Sequence, residues 1–399
     1  MNNETNVNIL KESEAFDEEI KTIRRALHSI AETGFEITKT KALIKDFLAK
    51  LGIKAEECGG GIKALITPQK TACTSVLLRA DCDALPVKEE SGLPFSAENG
   101  SCHACGHDMH TAMLLFAAKL LASHRERLTQ NVILAFQGAE ETLEGAVRML
   151  KDGIIDGENC TSAYSIHVLP LKNVKCGAVI ISPAGDASPY AQFFEISIKG
   201  KSAHGAAPQN SKDALLCGCA VANALQLPIS REKQPTVPSL LTLGSFSAGS
   251  AANVIAETCT IKGTLRSFDK GECEMLTRRV FEISEHISRA YGCKAQVRVT
   301  SSCPSLKNDA AVRERAVNAL SSAFGDALID ARDADACNIG GSEDFSYFSH
   351  AVPSLLLGIS AGDCEGRVLH DPAIRFDEDS LTKGAAALAI CALSGEKNS

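Results

Sequence analysis

The sequence predicts an α/β fold, a mostly parallel central sheet flanked by helices, with an inserted domain of ferredoxin-like (βαββαβ) order. Three observations predict it. Short apolar runs at Val76–Ala80, Val132–Phe136, Ala163–Val168 and Ser354–Ile359 lie between helical segments, as buried parallel strands do. From about Tyr190 to Thr300 the order of elements changes. That stretch is bracketed by Ser182-Pro-Ala-Gly-Asp-Ala-Ser-Pro189 and Ser301-Ser-Cys-Pro-Ser305, both rich in hinge-type residues, so two adjacent chain crossings are expected.

Taken in order, Ser13–Ala31 carries Phe16, Ile20, Ile23 and Leu27 at helical spacing, and Lys39–Leu51 carries Ala42, Leu43, Phe47 and Leu48. The first 51 residues therefore read as two helices. Met109–Ala122 and Ala146–Asp152 read as helices between the strands. The inserted stretch reads as strand Gln192–Lys199, helix Ser211–Gln226, strands Ser239–Ser247 and Glu257–Leu265, helix Gly271–Tyr291 and strand Lys294–Thr300. Helix Asp309–Phe324, the strand at Ser354 and a final helix Ser380–Leu393 resume the α/β texture. The predicted division is a discontinuous domain over 1–187 and 302–399 and an inserted domain over 188–301.

Composition narrows the partners. Lys and Arg number 41 against 49 Asp and Glu, a net charge of -8, and no run of five basic residues occurs, so no nucleic acid is expected. The longest apolar stretches, such as Ala385–Leu393, fall short of the roughly 20 residues that span a bilayer. The start, Met-Asn-Asn-Glu-Thr-Asn-Val, lacks a basic region followed by an apolar one. No membrane partner and a cytoplasmic location are the expectation. The 16 Cys are too sparse for a disulfide scaffold and should be reduced and mostly buried. Trp is absent, which argues against a stacking surface for bases or sugars.

In open α/β sheets ligands gather where strands end. Asp81 and Asp83 follow the first predicted strand, Glu140 and Glu141 the second, and His167 sits at the end of the third. The loop ahead of Met109 supplies Cys102, His103, Cys105, His107 and Asp108, and His370 follows the last strand region. Cys and His favour borderline ions such as zinc over magnesium or calcium. A Cys-x-His pair, one Glu and two distant His exceed a closed four-ligand site. They suit two ions about 3.5 to 4 Å apart with one ligand shared. Which Glu is the ligand cannot be read from residue type. Cys102-His-Ala-Cys105 also matches a redox Cys-x-x-Cys, but the order of elements is not thioredoxin-like. His28, His103, His124, His286 and His350 read as ordinary surface or packing residues. His110, three after His107, is as well placed to support a ligand as to be inert.

Nine ordered segments together resemble a known family: Arg79-Ala-Asp-Cys-Asp-Ala-Leu-Pro86, His103-Ala-Cys-Gly-His-Asp-Met-His110, Phe136-Gln-Gly-Ala-Glu-Glu141, Ser165-Ile-His-Val168, Gly200-Lys-Ser-Ala-His204, Asn253-Val-Ile255, Gly263-Thr-Leu-Arg266, Gly341-Ser-Glu-Asp-Phe345 and Leu369-His-Asp-Pro372. They resemble the aminoacylase and carboxypeptidase-type dinuclear metallopeptidases. Within these, the match is to the amidohydrolase subgroup of hippurate hydrolases, auxin-conjugate hydrolases and N-acetyl-diaminopimelate deacetylases. The resemblance runs from about Arg24 to the final helix.

The resemblance implies that Cys105 bridges two divalent ions, zinc or manganese, and that His107, Glu141, His167 and His370 complete their shells. It implies Glu140 as general base and Asp83 as a carboxylate that orients a ligand. It makes the inserted domain a lid through which a homodimer forms, with His204 and Asn253 stabilising the oxyanion and binding substrate, and Arg266 pairing with the substrate carboxylate. The implied reaction is hydrolysis of the amide bond of small N-acyl amino acids by a metal-activated water. The alternatives are a dipeptidase or aminopeptidase on the same scaffold, a non-catalytic metal-binding protein, and a thiol oxidoreductase using Cys102. One departure stands out. Gly138 lies where the subgroup usually has Pro, so a more permissive turn ahead of Glu140 is expected.

Overall fold

Acidic residues Asp17, Glu18 and Glu19 open a helix where its dipole favours them, and Ile20, Arg24, Leu27 and His28 form its buried face. The computed structural model that shows this describes residues 2–331, 341–362 and 365–395. Its helices begin with α1 (Asn2–Glu14), α2 (Asp17–Ile30) and α3 (Thr38–Lys50). The sequence predicted two helices here. The predicted Ser13–Ala31 begins instead at Asp17, and α1 was missed because its fully buried Ile9 is part of no recurring apolar stripe.

Strands β1 (Ala55–Cys58), β2 (Gly61–Ile66) and β3 (Ser75–Asp81) follow, then α4 (His107–Ser123), β4 (Asn131–Gln137), α5 (Gly145–Lys151), β5 (Cys160–Leu169), β6 (Val179–Ile181) and β7 (Gly185–Ser188). The remainder comprises β8 (Tyr190–Lys199), α6 (Ala214–Ala224), β9 (Ser239–Ala248), β10 (Thr258–Ser267), α7 (Lys270–Ala290), β11 (Lys294–Cys303), β12 (Leu306–Asn308), α8 (Ala310–Phe324), β13 (Leu328–Asp330), α9 (Ser346–Ala351), β14 (Ser354–Ser360) and α10 (Leu381–Leu393).

The described residues divide into two compact units. One holds 2–187, 307–331, 343–362 and 365–395; the other holds 188–306 with 341–342. The first unit carries an eight-stranded sheet in the order β1-β2-β4-β3-β5-β14-β6-β13. Its centre, β4-β3-β5-β14, is parallel throughout, while β1, β2 and β6 make antiparallel pairings. Every residue of β3 and β14 is buried, which is why those segments read as apolar runs, Arg79 of β3 being the exception. β1 escaped notice because Glu56 and Glu57 are exposed and no alternation shows.

Helices α4 and α10 are buried almost all round. Each wholly buried Leu or Phe on α4, such as Leu114, Leu115 or Phe116, contributes about 1.5–3 kcal/mol. The result is a packed floor whose strand ends carry the loops of the site.

The second unit is a four-stranded antiparallel sheet, β11-β8-β10-β9, with Phe194, Ile196, Ile261 and Leu265 facing Val221, Leu276 and Val280 of its two helices. Asp213 and Asp269 cap those helices, accepting from Leu216 N at 3.0 Å and Glu272 N at 2.7 Å. Among the described residues, Ala214–Glu232 is long and apolar enough to cross a membrane. Yet its Ala214, Cys217 and Val221 fill this unit's core.

Candidate metal centre

The loop between β3 and α4 delivers two side chains through a glycine hinge. Gly106, the residue before α4, has φ 83, and a Cβ there would lie 2.3 Å from Val168 Cγ2. Only glycine lets Cys105 and His107 turn to the same side. Replacing it by Ala is expected to cost about 2 kcal/mol or more, since a left-handed non-glycine residue alone costs about 1–2 kcal/mol. Thermal unfolding of Gly106→Ala checks this.

Hydrogen bonds fix the imidazoles. His107 Nδ1 donates to the Asp83 carbonyl at 2.8 Å, and His167 Nδ1 donates to the Val168 carbonyl at 2.7 Å. In the neutral ring, each of these bonds leaves Nε2 as the nitrogen with the lone pair. His167 Nε2 lies 3.6 Å from Cys105 Sγ, and His107 Nε2 lies 4.0 Å from Glu141 Oε1. His370 Nε2 reaches within 3.6 Å of the same Glu141 oxygen. His370 and Ala139, the residue before Glu140, both hold left-handed backbone, φ 71 and φ 58, a strain that surrounding bonds must sustain. His370 N donates to Ala104 O at 3.0 Å, and Ala139 N donates to Gly34 O at 3.0 Å.

The five side chains expected to be ligands thus meet in the first unit. Cys105, His107 and His167 bring their ligand atoms within 4.8 Å of one another, and so do Cys105, Glu141 and His370. Cys105 belongs to both sets. His107 Nε2 and Glu141 Oε1 are buried with no hydrogen-bond partner, a costly state that a cation at the centre would relieve. The set of sulfur, imidazole and carboxylate suits a borderline ion such as zinc.

Asp83 acts through two groups. Its carbonyl sets the His107 tautomer, while its carboxylate accepts from Glu140 N at 2.9 Å and Glu141 N at 3.3 Å. Gly138 does not loosen this turn: a Cβ there would stand 2.9 Å from the Gly34 carbonyl oxygen, so glycine permits the close approach. His110 Nε2 accepts from Val168 N at 2.9 Å, so its Nδ1 donates to Asp81 at 2.5 Å and braces the strand carrying His167.

Burial pushes the Cys105 thiol well above its ordinary range, and burial likewise raises Glu141. Burial opposes charge on His107, but Asp81 and Cys105 outweigh it and raise that imidazole. Burial depresses His167 to about 3. Glu140 is raised by burial and by the neighbouring Glu343, Asp344 and Glu141. The buried Cys105 thiol holds a proton that a cation must displace, so metal loading should release protons and tighten as pH rises. Calorimetric titration of zinc in buffers of different ionisation heat measures the release; zero protons would contradict it.

Sequence reasoning overlooked two buried networks. Arg24 Nε donates to Asp108 Oδ2 at 2.7 Å, and His28 joins that oxygen to Glu89. His28 and His103 are thus buried beside the first turn of α4, and His28 is part of an ion network rather than a surface residue. Arg79, Gln137, Glu343 and Asp344 form the second network. An Arg inside an otherwise apolar strand was the readable signal, because buried guanidinium needs carboxylates.

The remaining predicted residues belong to the second unit. His204 pairs with Val254 in an isolated bridge, and Gly205 N donates to the Asn253 carbonyl at 2.8 Å, so His204 and Asn253 stand on two neighbouring exposed loops. His204 Nδ1 accepts from Ala206 N at 3.0 Å. Arg266, on β10, donates to Ser342 Oγ at 2.8 Å.

Strand-end carboxylates beside a cysteine and imidazole cluster define a metal-binding hydrolase. Comparison with known proteins agrees. Residues 77–394 match the model of peptidase family M20/M25/M40. The N-acetyl-L-cysteine deacetylase of Bacillus subtilis (strain 168) is 35% identical, over 91% of this chain and 85% of its own. IAA-amino acid hydrolase ILR1-like 2 of Arabidopsis thaliana is 34% identical, over 96% of this chain and 86% of its own. A crystal structure of a dinuclear metal binding peptidase from Bacillus subtilis matches with a TM-score of 0.77 at 26% identity, covering 95% of this chain and 98% of that one. The chain belongs to peptidase family M20/M25/M40.

Proposed function

We propose that the protein hydrolyses the amide bond of small N-acyl amino acids, with two divalent ions, zinc or manganese, held by Cys105, His107, Glu141, His167 and His370. The observation that carries this reading is that Cys105 belongs to two ligand-capable sets, one with His107 and His167 and one with Glu141 and His370. Relatives that remove acetyl from N-acetyl-L-cysteine or act on IAA-amino acids, as their names say, support the substrate class. When bound, the ions supply Lewis acidity and draw the pKa of a water toward neutrality.

Glu140 takes the proton of the attacking water and returns it to the leaving amine, a role suited to a buried carboxyl whose pKa is raised by burial and by its carboxyl neighbours. Asp83 holds the Glu140 and Glu141 backbone so that base and ligand keep their places. His204, with Nδ1 already accepting, carries its proton on Nε2 and offers it, with Asn253, to the developing oxyanion. The Arg266 guanidinium fits the substrate carboxylate as a fork. The inserted domain serves as lid and dimer contact. β9 is an edge strand, and Leu216, Leu240, Phe246 and Val254 are exposed apolar residues of this unit, consistent with a second copy covering them. A cytoplasmic site fits the free thiols of all described cysteines.

The test is a hydrolysis screen. N-acetyl, N-benzoyl, long-chain acyl and indole-acetyl amino acids are compared with unblocked dipeptides, before and after chelation and with zinc or manganese restored. Turnover of blocked substrates that chelator abolishes and metal restores is the expected result. Turnover of unblocked dipeptides alone would make the protein a dipeptidase.

A further inference from the structure

We propose that Arg79 is a positioning residue for Glu140: its guanidinium clamps Glu343 and Asp344 against the Glu140 carboxyl and ties them, through Asp81, to the imidazoles of the metal centre. The inference rests on Glu140 being the general base.

Arg79 is 1% exposed, and the three nitrogens of its fork are aimed in different directions. Nη1 donates to Asp81 Oδ2 at 2.7 Å, Nε to Gln137 Oε1 at 3.0 Å, and Nη2 to Asp344 Oδ1 at 2.8 Å while standing 3.0 Å from Glu343 Oε1. Asp81 in turn receives His110 Nδ1 and lies 3.7 Å from His107 Nε2. At the other end, Glu140, Glu343 and Asp344 bring carboxyl oxygens within 4.8 Å of one another, and Asp344 N is 3.4 Å from Glu140 Oε1.

Three buried carboxyls so close would spread apart without a counter-charge. Arg79 supplies it, and further bonds set the angles. Gln137 Nε2 donates to both Asp344 oxygens at 2.7 Å, Ala146 N donates to Oδ2 at 2.9 Å, and Phe345 N donates to Glu343 Oε1 at 2.8 Å. Neither Glu343 nor Asp344 belongs to the ligand sets that contain Cys105. Their positions are explained by the wall they build behind Glu140. A lysine could neutralise the cluster, but as a single point of charge it could not hold Asp81, Gln137 and Asp344 at once.

The experiment compares the cobalt-loaded parent with Arg79→Lys and with the charge-balanced double variant Arg79→Met, Asp344→Asn, which removes the 2.8 Å pair. Replacing both members of a buried ion pair by neutral side chains is commonly tolerated, so the double variant decides by the same criteria if Arg79→Lys does not fold. The expected result is an unchanged cobalt absorption spectrum, KM within about threefold and kcat lower by about 100-fold, the scale of a misplaced reacting group. Parental kcat in either folded variant, a loss confined to KM, or an altered cobalt spectrum would overturn the inference. Glu140→Gln in the same assay separates the two readings. If it keeps parental turnover, the assignment of the base has failed. If it loses turnover while the Arg79 variants do not, only the clamp has failed.

Discussion

Glu140→Gln is expected to lower kcat by about 100- to 10,000-fold, the range that a positioned acid–base group contributes. The substitution keeps the shape of the side chain and an oxygen able to accept from Asp344 N, so the local packing should survive. It also removes one acid from a cluster in which Glu343, Asp344 and Glu141 all raise the Glu140 pKa. Less repulsion at neutral pH means a thermal midpoint equal to or above the parent's. Metal content should be unchanged, because Glu141 still faces His107 and His370. Turnover, calorimetry and metal analysis on one preparation check all three. Parental turnover would remove the proposed mechanism.

Cys105→Ser is expected to reduce metal occupancy and to lower turnover by more than about 100-fold, since losing a mere supporting partner of a metal ligand already costs about 10- to 100-fold. A single sulfur belongs to the set with His107 and His167 and to the set with Glu141 and His370, so its loss should affect both ions. Cys102→Ser should be mild: its thiol is buried near the Pro372 carbonyl at 4.0 Å and belongs to no ligand-capable set among the described residues. The contrast is measured as metal per chain and turnover for each variant. A thiol oxidoreductase would invert it, with Cys102→Ser the damaging change.

Much of this centre was legible in the sequence because strand ends have a periodic signature. Buried parallel strands such as β3 and β14 read as apolar runs, and the residues after them had to be loop residues at the sheet's edge. Cys105, Glu141 and His370 lie in loops beyond strands, His107 opens α4 and His167 lies near the end of β5. The roles of Glu140 and Glu141 were not legible, since two adjacent carboxylates differ only in where the chain points them. That direction depends on the left-handed Ala139 and the Asp83 carboxylate, both tertiary features. The Arg79 network escaped for a similar reason. Its partners Asp81, Gln137 and Asp344 come from distant segments, and only the folded sheet brings them together. Helix α1 was missed because its burial depends on α8 and α10, not on a stripe of its own.

The most direct test of the account is anomalous diffraction from crystals soaked in zinc or manganese. Two peaks about 3.5–4 Å apart, with Cys105 Sγ between them and His107, Glu141, His167 and His370 around them, are the predicted result. A single peak, or peaks away from these five side chains, would contradict it.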